Sequence, residues 1–316
     1  MKILVTGGAG FIGSRLDARL LDAGHEVVAV DDLSLGSREA IAPLQANPRF
    51  RFEPLDVCGP EFPKLMASVR PERVFHLAAN SDISKSSADP SLDLSRSFLT
   101  TFHTLEAMRH AGTRELVFAS TSAIYGDAPG ALDEDHGPLA PISFYGAAKL
   151  SSEAYISAFC ALKGMRAWVF RFPNVVGPNL THGAVLDLVR KLHKSRTRLD
   201  VLGDGSQDKP YLHVDDLLSA IDLAVQHPAE PVATYNIAGE GSTTVREMAE
   251  TIREVLQLPE AEIVYGTGNR GWPGDVPKFE YDTRKIRALG WRPLRNSREA
   301  VRAAIEAEAL KCKRSS

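Results

Sequence analysis

The chain is poor in the residues that mark several classes of protein. Its cysteines, Cys58, Cys160 and Cys312, are too few and too widely spaced to form a disulfide framework or a zinc cluster. None of its nine histidines lies in a His-Glu-x-x-His pattern, so no metal site is expected. No apolar run approaches the roughly 20 residues needed to span a bilayer, which argues against a membrane protein.

The chain also carries little net charge. Its 316 residues sum to −3, which provides no general attraction to nucleic acid or to an anionic membrane. The N-terminus enters an apolar strand directly, without the layout of a signal peptide. Together with the free thiols, these features predict a cytoplasmic protein with no nucleic-acid or membrane partner.

What the sequence does have is a regular alternation of strand-like and helix-like segments. Several strands are continuous apolar runs, as expected when helices cover both faces of a sheet. This pattern predicts an α/β fold built on a doubly wound parallel sheet. The strands predicted in the first half are Lys2–Val5, Glu26–Val30, Arg49–Pro54, Arg73–Leu77, Glu115–Ser120 and Ala167–Phe172.

The pattern changes past residue 173, where glycine-rich and proline-rich turns separate shorter elements. At this length two lobes are expected. We predict a dinucleotide-binding domain at 1–173 and a smaller α/β substrate domain at 174–316. Parts of 211–238 are expected to return to the first sheet, with Tyr211–Val214 and Tyr235–Ala238 as the candidates.

The run Val5-Thr6-Gly7-Gly8-Ala9-Gly10-Phe11-Ile12-Gly13 follows the first strand and leads into a helical pattern. The glycine motif can be formed by Gly7, Gly10 and Gly13, or by Gly8, Gly10 and Gly13. Such a turn lets backbone N–H groups approach a pyrophosphate, because no Cβ blocks the tight turn. Asp31 ends the next strand, where an acid accepts hydrogen bonds from a ribose and repels a 2′-phosphate. This context predicts NAD binding rather than NADP binding.

A second group of polar residues follows another strand. Ser120, Thr121 and Ser122 stand at a strand end, which is where open α/β sheets bind ligands. Tyr145 and Lys149 are four residues apart in a helical run and share one face. An ammonium beside a phenol lowers the phenol's pKa, as does the positive nicotinamide ring of bound NAD⁺. We therefore expect Tyr145 to act as a general base on a substrate hydroxyl that Thr121 also holds.

Other candidate residues are interpreted as structural. A second Tyr-x-x-x-Lys pair, Tyr281 and Lys285, has no hydroxyl-rich strand end before it. His76 and His213 lie in apolar strand-like runs, where a histidine is more often a buried hydrogen-bonding group than a ligand.

At these positions the chain resembles the extended short-chain dehydrogenase/reductases that act on nucleotide sugars, which are NAD-dependent epimerases and dehydratases. The likeness covers nearly the whole chain. It implies the doubly wound fold, NAD as cofactor, a nucleotide-sugar substrate and a homodimer formed through Leu92–Ala111 and Tyr145–Lys163. The matching segments are Thr6–Gly13, Asp31–Ser34, Asp56–Val57, His76–Ala79, Ser120–Gly126, Tyr145–Lys149, Arg171–Pro178, Gly203–Val214 and Pro273–Asp275.

The resemblance also implies roles for individual residues. The catalytic set is Thr121, Tyr145 and Lys149. The cofactor-binding set is Gly7, Gly10, Phe11, Ile12, Gly13, Asp31, Asp32, Leu33, Ser34, Gly36, Ser37, Asp56, Val57, Leu77, Ala78, Ala79, Ser120, Tyr145, Lys149 and Phe172. The substrate-binding set is Ser81, Thr121, Ser122, Tyr145, Asn174, Leu202, Lys209, Arg270 and Asp275.

Several substrate-side positions depart from the epimerase pattern. Leu202 replaces an aromatic residue that lies against the base, and Lys209 replaces an arginine. An ammonium still pairs with phosphate, but it lacks the planar fork of a guanidinium. Trp272 stands where an arginine is usual, and Arg270 lies farther upstream. These changes leave the identity of the nucleotide base open.

Further departures lie near the cofactor and the sugar. Ser97 and Ser81 replace an asparagine and a lysine that are often seen near the cofactor. Phe279 matches a gate position where a bulky side chain favours plain hexoses over N-acetylhexosamines.

The residue after the hydroxyl pair discriminates among the reactions of the family, all of which begin by oxidising the sugar at C4. Dehydratase relatives have Thr-Asp-Glu at this strand end and decarboxylase relatives have Thr-Ser-Glu, whereas this chain has Thr121-Ser122-Ala123. Alanine transfers no proton, which leaves hydride return to the opposite face of the sugar. The prediction is an NAD-dependent 4-epimerase of a nucleotide-activated hexose of the UDP-glucose/UDP-galactose type.

Alternative functions stay open at this point. A 4,6-dehydratase or a decarboxylase would take its acid from elsewhere, for instance from Glu134 or Asp135. A non-catalytic NAD-binding regulator is expected to have lost the hydroxyl, tyrosine and lysine set, all of which is present. An NADPH-consuming reductase is disfavoured by Asp31.

Overall fold

The protein is built from alternating strands and helices. The computed structural model describes residues 1–81, 88–269, 276 and 280–314. The strands are β1 (Lys2–Thr6), β2 (Glu26–Val30), β3 (Phe50–Glu53), β4 (Arg73–His76), β5 (Glu115–Thr121), β6 (Ala131–Leu132), β7 (Arg166–Phe172), β8 (Asn174–Val176), β9 (Arg198–Val201), β10 (Asp208–Lys209), β11 (Tyr211–His213), β12 (Val232–Asn236), β13 (Thr243–Thr244), β14 (Glu262–Tyr265) and β15 (Glu280–Tyr281).

The helices alternate with these strands through much of the chain. They are α1 (Phe11–Asp22), α2 (Arg38–Ile41), α3 (Glu61–Val69), α4 (Ser91–Asp93), α5 (Thr100–Ala111), α6 (Phe144–Lys163), α7 (Ala184–Ser195), α8 (Val214–Ala224), α9 (Val245–Val255), α10 (Arg284–Ala288) and α11 (Ser297–Arg314). A π-helical segment, Leu94–Leu99, connects α4 to α5. Among the described helices, none is both long and apolar enough to cross a membrane.

A seven-stranded sheet forms the centre of the described structure, in the order β12-β7-β5-β4-β1-β2-β3. β1 pairs in parallel with both β2 and β4, β2 with β3, and β4 with β5. The strand order reverses at β1, so the loops that follow β1 and its neighbours leave from the same edge. The predicted doubly wound α/β fold is confirmed, and the six strands expected in the first half differ from the observed ones by at most one residue at either end.

The central strands are buried because helices cover the sheet. Four consecutive residues of β1 and four of β2 are buried, as a strand covered on both faces requires. Phe62 and Met66 of α3 and Leu105 of α5 pack against this sheet and are essentially inaccessible to solvent. The apolar runs of the sequence therefore form the core that holds the carboxyl ends of the strands in register.

One predicted strand pairing is wrong. Tyr211–Val214 does not return to the first sheet, because β11 pairs in parallel with β8 in a separate two-stranded sheet. The position beside β7 is taken instead by β12, which overlaps the segment Tyr235–Ala238 expected to return.

The chain divides into two compact units. The first comprises Met1–Ile124, Phe144–Arg171 and Ala224–Tyr235. The second comprises Tyr125–Ser143, Phe172–Leu223 and Asn236–Ser316. The domain boundaries at 1–173 and 174–316, with parts of 211–238 returning to the first domain, stay a prediction.

A buried ion pair joins α6 to β7. The Arg171 guanidinium donates to both carboxylate oxygens of Glu153, with a shortest contact of 2.7 Å between Nη2 and Oε2. Their side chains are only 7% and 10% exposed. Ser120 at the end of β5 donates to the same carboxylate. One acid on α6 thus fixes the helix against two neighbouring strands.

Removing Arg171 should destabilise the fold, because it leaves the Glu153 carboxylate buried without its cation. We expect Arg171→Met to lower the free energy of unfolding by about 3–5 kcal/mol. The measurement is urea unfolding at neutral pH. Arg302→Met is the matched control, since the Arg302–Glu254 pair has the same 2.7 Å contact but side chains that are 44% and 66% exposed. The control should lose about 0–1 kcal/mol, and equal losses in the two variants would contradict the assignment.

Candidate active site

The glycine loop after β1 is held by backbone hydrogen bonds. The N–H groups of Gly7 and Gly8 donate to the Val30 carbonyl at the end of β2, at 2.8 and 3.2 Å. A Cβ on Gly13 would lie 2.1 Å from the Gly7 oxygen, and one on Gly8 would lie 2.6 Å from the Ala29 Cβ. Glycine is therefore required by close backbone packing at these positions, and Gly7 additionally has a φ of +72°.

The first turn of α1 is suited to an anion. Gly10 precedes the helix with no side-chain cap, and the first turn contains no acidic residue, so the positive end of the helix dipole is not offset from within that turn. Asp17 lies beneath the loop and is fully buried. Burial, with a smaller contribution from Asp31, raises the pKa of Asp17 well above its usual value. The raised pKa favours the neutral form of Asp17, which does not repel a phosphate.

Asp31 shapes the loop that follows β2. Its carboxylate accepts from the Ala9 N–H at 3.0 Å and from the Leu33 N–H at 2.8 Å. Burial raises the pKa of Asp31, and these two hydrogen bonds oppose the rise. The Ser37 N–H donates to the Ala9 carbonyl, and a Cβ on Gly36 would lie 2.8 Å from the Ala9 backbone. The two loops therefore fold against each other with the predicted ribose acceptor between them.

The segment after β4 meets the same glycine loop. The Leu77 N–H donates to the Thr6 carbonyl at 3.1 Å, and the Ala78 N–H to the Thr6 hydroxyl at 3.3 Å. A Cβ on Gly7 would lie 2.8 Å from the Ala78 nitrogen. The structure thus brings the predicted cofactor-binding segments Gly7–Gly13, Asp31–Ser37 and Leu77–Ala79 together at the carboxyl edge of the sheet. Asp56 and Val57 follow β3 on this edge, where Asp56 accepts from the Cys58 N–H.

Lys149 is the most deeply buried cation of the predicted site. Its side chain is 2% exposed, and Nζ donates to the Ala119 carbonyl of β5 at 2.7 Å. The ammonium also lies 4.7 Å from the centre of the Phe118 ring and 5.9 Å from that of Tyr145, where a cation is attracted by the ring face. Burial lowers the pKa of Lys149 to about 8, although nearby Asp93 and Glu153 act to raise it.

Tyr145 stands one helical turn before Lys149, and Thr121 ends β5 beside it. The expected lowering of the phenol's pKa is not observed in the protein alone. Burial is the main cause of a raised pKa for Tyr145, and Asp93 adds to it, while a hydrogen bond with Thr121 acts in the opposite direction. The physical reason is that a phenolate loses its hydration on burial.

His76 fits its structural interpretation. It is fully buried between Thr6 and Thr101, with contacts of 2.7 Å to Nδ1 and 3.1 Å to Nε2. Burial lowers the pKa of His76 to about 3, so the ring is neutral at physiological pH. A neutral imidazole bonded at both nitrogens holds β4 to its neighbours and is not positioned as a proton donor.

Three residues near the Tyr145–Lys149 pair were not assigned a role from the sequence. Asp93 is fully buried, and its Oδ1 accepts from Asn80 Nδ2 and from the Ser97 hydroxyl, both at 3.1 Å. The Asn80 N–H donates in turn to the Ser97 hydroxyl at 3.2 Å. Of the three, only Ser97 was noted in the sequence, because it replaces an asparagine that is often seen near the cofactor. No local motif marks Asp93 or Asn80.

The remaining predicted substrate residues are spread along the chain. Ser81 is exposed at the end of the segment after β4, and Ser122 begins a 3-10 turn after β5. Asn174 begins β8, Lys209 ends β10 and Leu202, 69% exposed, follows β9, all in the second unit. Phe172 ends β7. Arg270, Asp275 and Phe279 lie outside the described residues.

The described arrangement has the components of proton transfer at a hydroxyl next to a dinucleotide site. Tyr145 is a phenol hydrogen-bonded to Thr121, with a buried ammonium 5.9 Å from its ring centre. Lys149 supplies positive charge where a phenolate would form, which favours the ionised phenol. Thr121 supplies a hydrogen-bonding group at the strand end. Such a set can remove a proton from a substrate hydroxyl and return one to it.

Comparison with known proteins adds independent observations. A model of the NAD dependent epimerase/dehydratase family matches residues 3–238. The chain is 32% identical to UDP-glucose 4-epimerase of Mycolicibacterium smegmatis, over 97% of this chain and 98% of the relative. It is 32% identical to dTDP-glucose 4,6-dehydratase of Neisseria meningitidis serogroup B, over 96% and 92%. A crystal structure of UDP-galactose 4-epimerase matches with a TM-score of 0.87 and 36% identity, covering 98% of this chain and 99% of the other.

The glycine loop generates a prediction about dinucleotide affinity. Gly13→Ala forces the loop apart, because the new Cβ would meet the Gly7 oxygen at 2.1 Å. Overpacking of this kind costs about 1–3 kcal/mol, so we expect NAD to bind about tenfold more weakly or worse. Calorimetric titration with NAD measures this. Gly137→Ala is the control, since a Cβ there meets no described atom within 4 Å; unchanged affinity in Gly13→Ala would exclude the loop as the binding site.

Proposed function

The chain belongs to the NAD-dependent epimerase/dehydratase family, and we propose that it is a 4-epimerase acting on a nucleotide-activated hexose, with UDP-hexoses favoured. Bound NAD would supply the hydride acceptor and donor for C4 of the sugar. The single observation that carries the proposal is the juxtaposition of Tyr145, Lys149 and Thr121, at a strand end whose own sequence, Thr121-Ser122-Ala123, contains no acid. Relatives that act on UDP-glucose and UDP-galactose support the substrate class.

Tyr145 is the proposed general base and acid. In the forward direction its phenolate removes the proton of the 4-hydroxyl, and the phenol later returns a proton to O4. Burial holds the phenol in its protonated form in the protein alone. A general base of this type works best when its pKa lies near the working pH, so the nearby positive charge has to oppose the effect of burial.

Lys149 and Thr121 have supporting roles in this proposal. The Lys149 ammonium, anchored on the Ala119 carbonyl, stabilises the phenolate form of Tyr145. Thr121 is 8% exposed and its hydroxyl is bonded to Tyr145, which places a second hydrogen-bonding group beside the phenol. Tyr145 and Thr121 together define the position that the sugar oxygen must occupy to lose its proton.

The residue at position 123 supports epimerisation over elimination. Dehydration across C5 and C6 requires an acid and a base in addition to the tyrosine, and Ala123 supplies neither. The two acids suggested as substitutes lie in the second unit: Asp135 is exposed, and Glu134 accepts from the Asn236 N–H at 2.7 Å. Since a dehydratase is among the similar proteins, 4,6-dehydration and decarboxylation remain the alternatives.

Assembly and location also remain predictions. The helical segment from α4 to α5 and helix α6 carry exposed apolar side chains, including Leu94 at 55%, Tyr155 at 44% and Leu162 at 75%. This supports the homodimer expected from the resemblance. Binding of the nucleotide sugar by Asn174 and Lys209, and placement in the cytoplasm, rest on the sequence.

The role of Tyr145 is tested by removing its hydroxyl alone. We expect Tyr145→Phe to lower kcat for interconversion of UDP-glucose and UDP-galactose by about 100-fold or more, the usual scale for an acid–base group. Tyr281→Phe is the matched control, because it removes a buried hydroxyl from the second Tyr-x-x-x-Lys pair and should keep near-normal activity. If Tyr145→Phe turns over at the rate of the control, Tyr145 is not the base.

The fate of the C4 hydrogen separates epimerisation from the alternatives. With UDP-glucose deuterated at C4, we expect UDP-galactose to retain the label at C4, because the hydrogen leaves and returns without exchange. Mass spectrometry and NMR of the product measure this. A 6-deoxy-4-keto product would indicate a dehydratase, release of CO₂ from a UDP-hexuronate would indicate a decarboxylase, and loss of deuterium to solvent would exclude direct return.

A further inference from the structure

Asp93 is a buried acid that the proposed mechanism does not yet use. Its side chain is inaccessible to solvent, and α4, which it ends, packs against α6, the helix that bears Tyr145 and Lys149. Oδ1 accepts from Asn80 and Ser97. Oδ2 is buried and has no hydrogen-bond partner among the described residues. A carboxylate in this setting needs a compensating positive charge, because burying an unpaired charge is costly.

Lys149 supplies that charge. Its ammonium is a buried cation on the facing helix, and Asp93 is the largest influence opposing the effect of burial on it. The same carboxylate raises the pKa of Tyr145. Asp93 thus acts on both members of the pair in the same direction, since a negative charge favours the protonated form of every neighbouring group.

We propose that Asp93 is a positioning residue, held by Asn80 and Ser97, whose buried charge keeps Lys149 an ammonium and sets the pH range in which the Tyr145–Lys149 pair works. This inference rests on the proposed function of the pair. It assigns no contact between Asp93 and the sugar, because its effect is exerted through the two residues on α6.

The other charged groups around the pair are already compensated. Glu153, on α6, is bound by Arg171 of β7. His76, on β4, is neutral because burial lowers its pKa to about 3. The contacts from β5 are uncharged: the Ala119 carbonyl accepts from Lys149, and the Thr121 hydroxyl is hydrogen-bonded to Tyr145. The groups facing the pair among the described residues are therefore Asp93, His76, Glu153 and Arg171, and of these Asp93 has the charge without a direct ionic partner.

Asp93→Asn tests the inference, because the amide keeps the size and an acceptor oxygen for Asn80 and Ser97 but removes the charge. The pH profile of kcat for UDP-hexose epimerisation reports two apparent pKa values that belong to the coupled pair. Loss of a negative charge lowers both. We expect both limbs of the profile to move to lower pH by about one unit.

A purely structural role gives a different result. If Asp93 only packs α4 against α6, kcat falls at every pH and neither limb moves, which would overturn the proposal; limbs that move in opposite directions would overturn it as well. Asp93→Ser removes the same charge through a smaller side chain and should give the same shift if the amide variant folds poorly. Asp216→Asn is the matched control, since Asp216 is equally buried and accepts one backbone N–H from Leu294, in the second unit. It should leave both limbs in place.

A second readout does not depend on turnover. Ultraviolet titration of tyrosine ionisation in the full chain, taken as the difference between each protein and its Tyr145→Phe counterpart, isolates the Tyr145 phenol. Asp93→Asn should lower this titration midpoint by about one unit relative to the native chain. If the native chain does not epimerise UDP-hexoses, the proposed function fails while this titration still decides the role of Asp93. An unchanged midpoint in a chain that does epimerise would reject the Asp93 proposal alone.

Discussion

Burial of the Lys149 ammonium is the constraint on which the described site depends. Taking an ammonium out of water costs several kcal/mol unless other groups replace its hydration. Here the Ala119 carbonyl, the face of Phe118 and the acids Asp93 and Glu153 replace it. These groups come from β5, α4 and α6. The three elements must therefore come close together around the Lys149 side chain. The position of Tyr145, one turn earlier on α6, follows from that meeting.

Much of the fold was predictable because it depends on local patterns. Apolar runs marked the central strands to within one residue, since a strand buried on both faces needs such a run. The glycine loop was recognisable because backbone atoms pack where side chains would otherwise stand, as the 2.1 Å separation computed for a Gly13 Cβ illustrates. Lys149 and Tyr145 were predicted on one helical face, and their spacing was enough to establish it. The second Tyr-x-x-x-Lys pair has the same spacing, but Tyr281 lies in β15 and Lys285 in α10, so the spacing alone does not place two such residues on one helix.

What the sequence did not predict depends on contacts between distant residues. The raised pKa of Tyr145 in the protein alone was not predicted, because the neighbouring lysine is visible in a motif and the loss of hydration is not. Asp93 was passed over for a similar reason, since its partner Asn80 is thirteen residues away and joins it only in the folded chain. β11 was assigned to the wrong sheet because a three-residue strand contains too little pattern to select between two parallel partners.

The π-helical segment Leu94–Leu99 accommodates one residue more than regular winding between Asp93 and α5 would hold. A single-residue deletion within it would restore ordinary α-helical winding and leave the helix intact. Where the deletion falls between Asp93 and Ser97, it would also rotate Asp93 by about 100° around the axis, which would carry it away from the face it shares with Ser97. The number of residues in this turn therefore determines whether Asp93 can face the helix that bears Lys149. Homologues that lack the extra residue would need a different way to balance that charge.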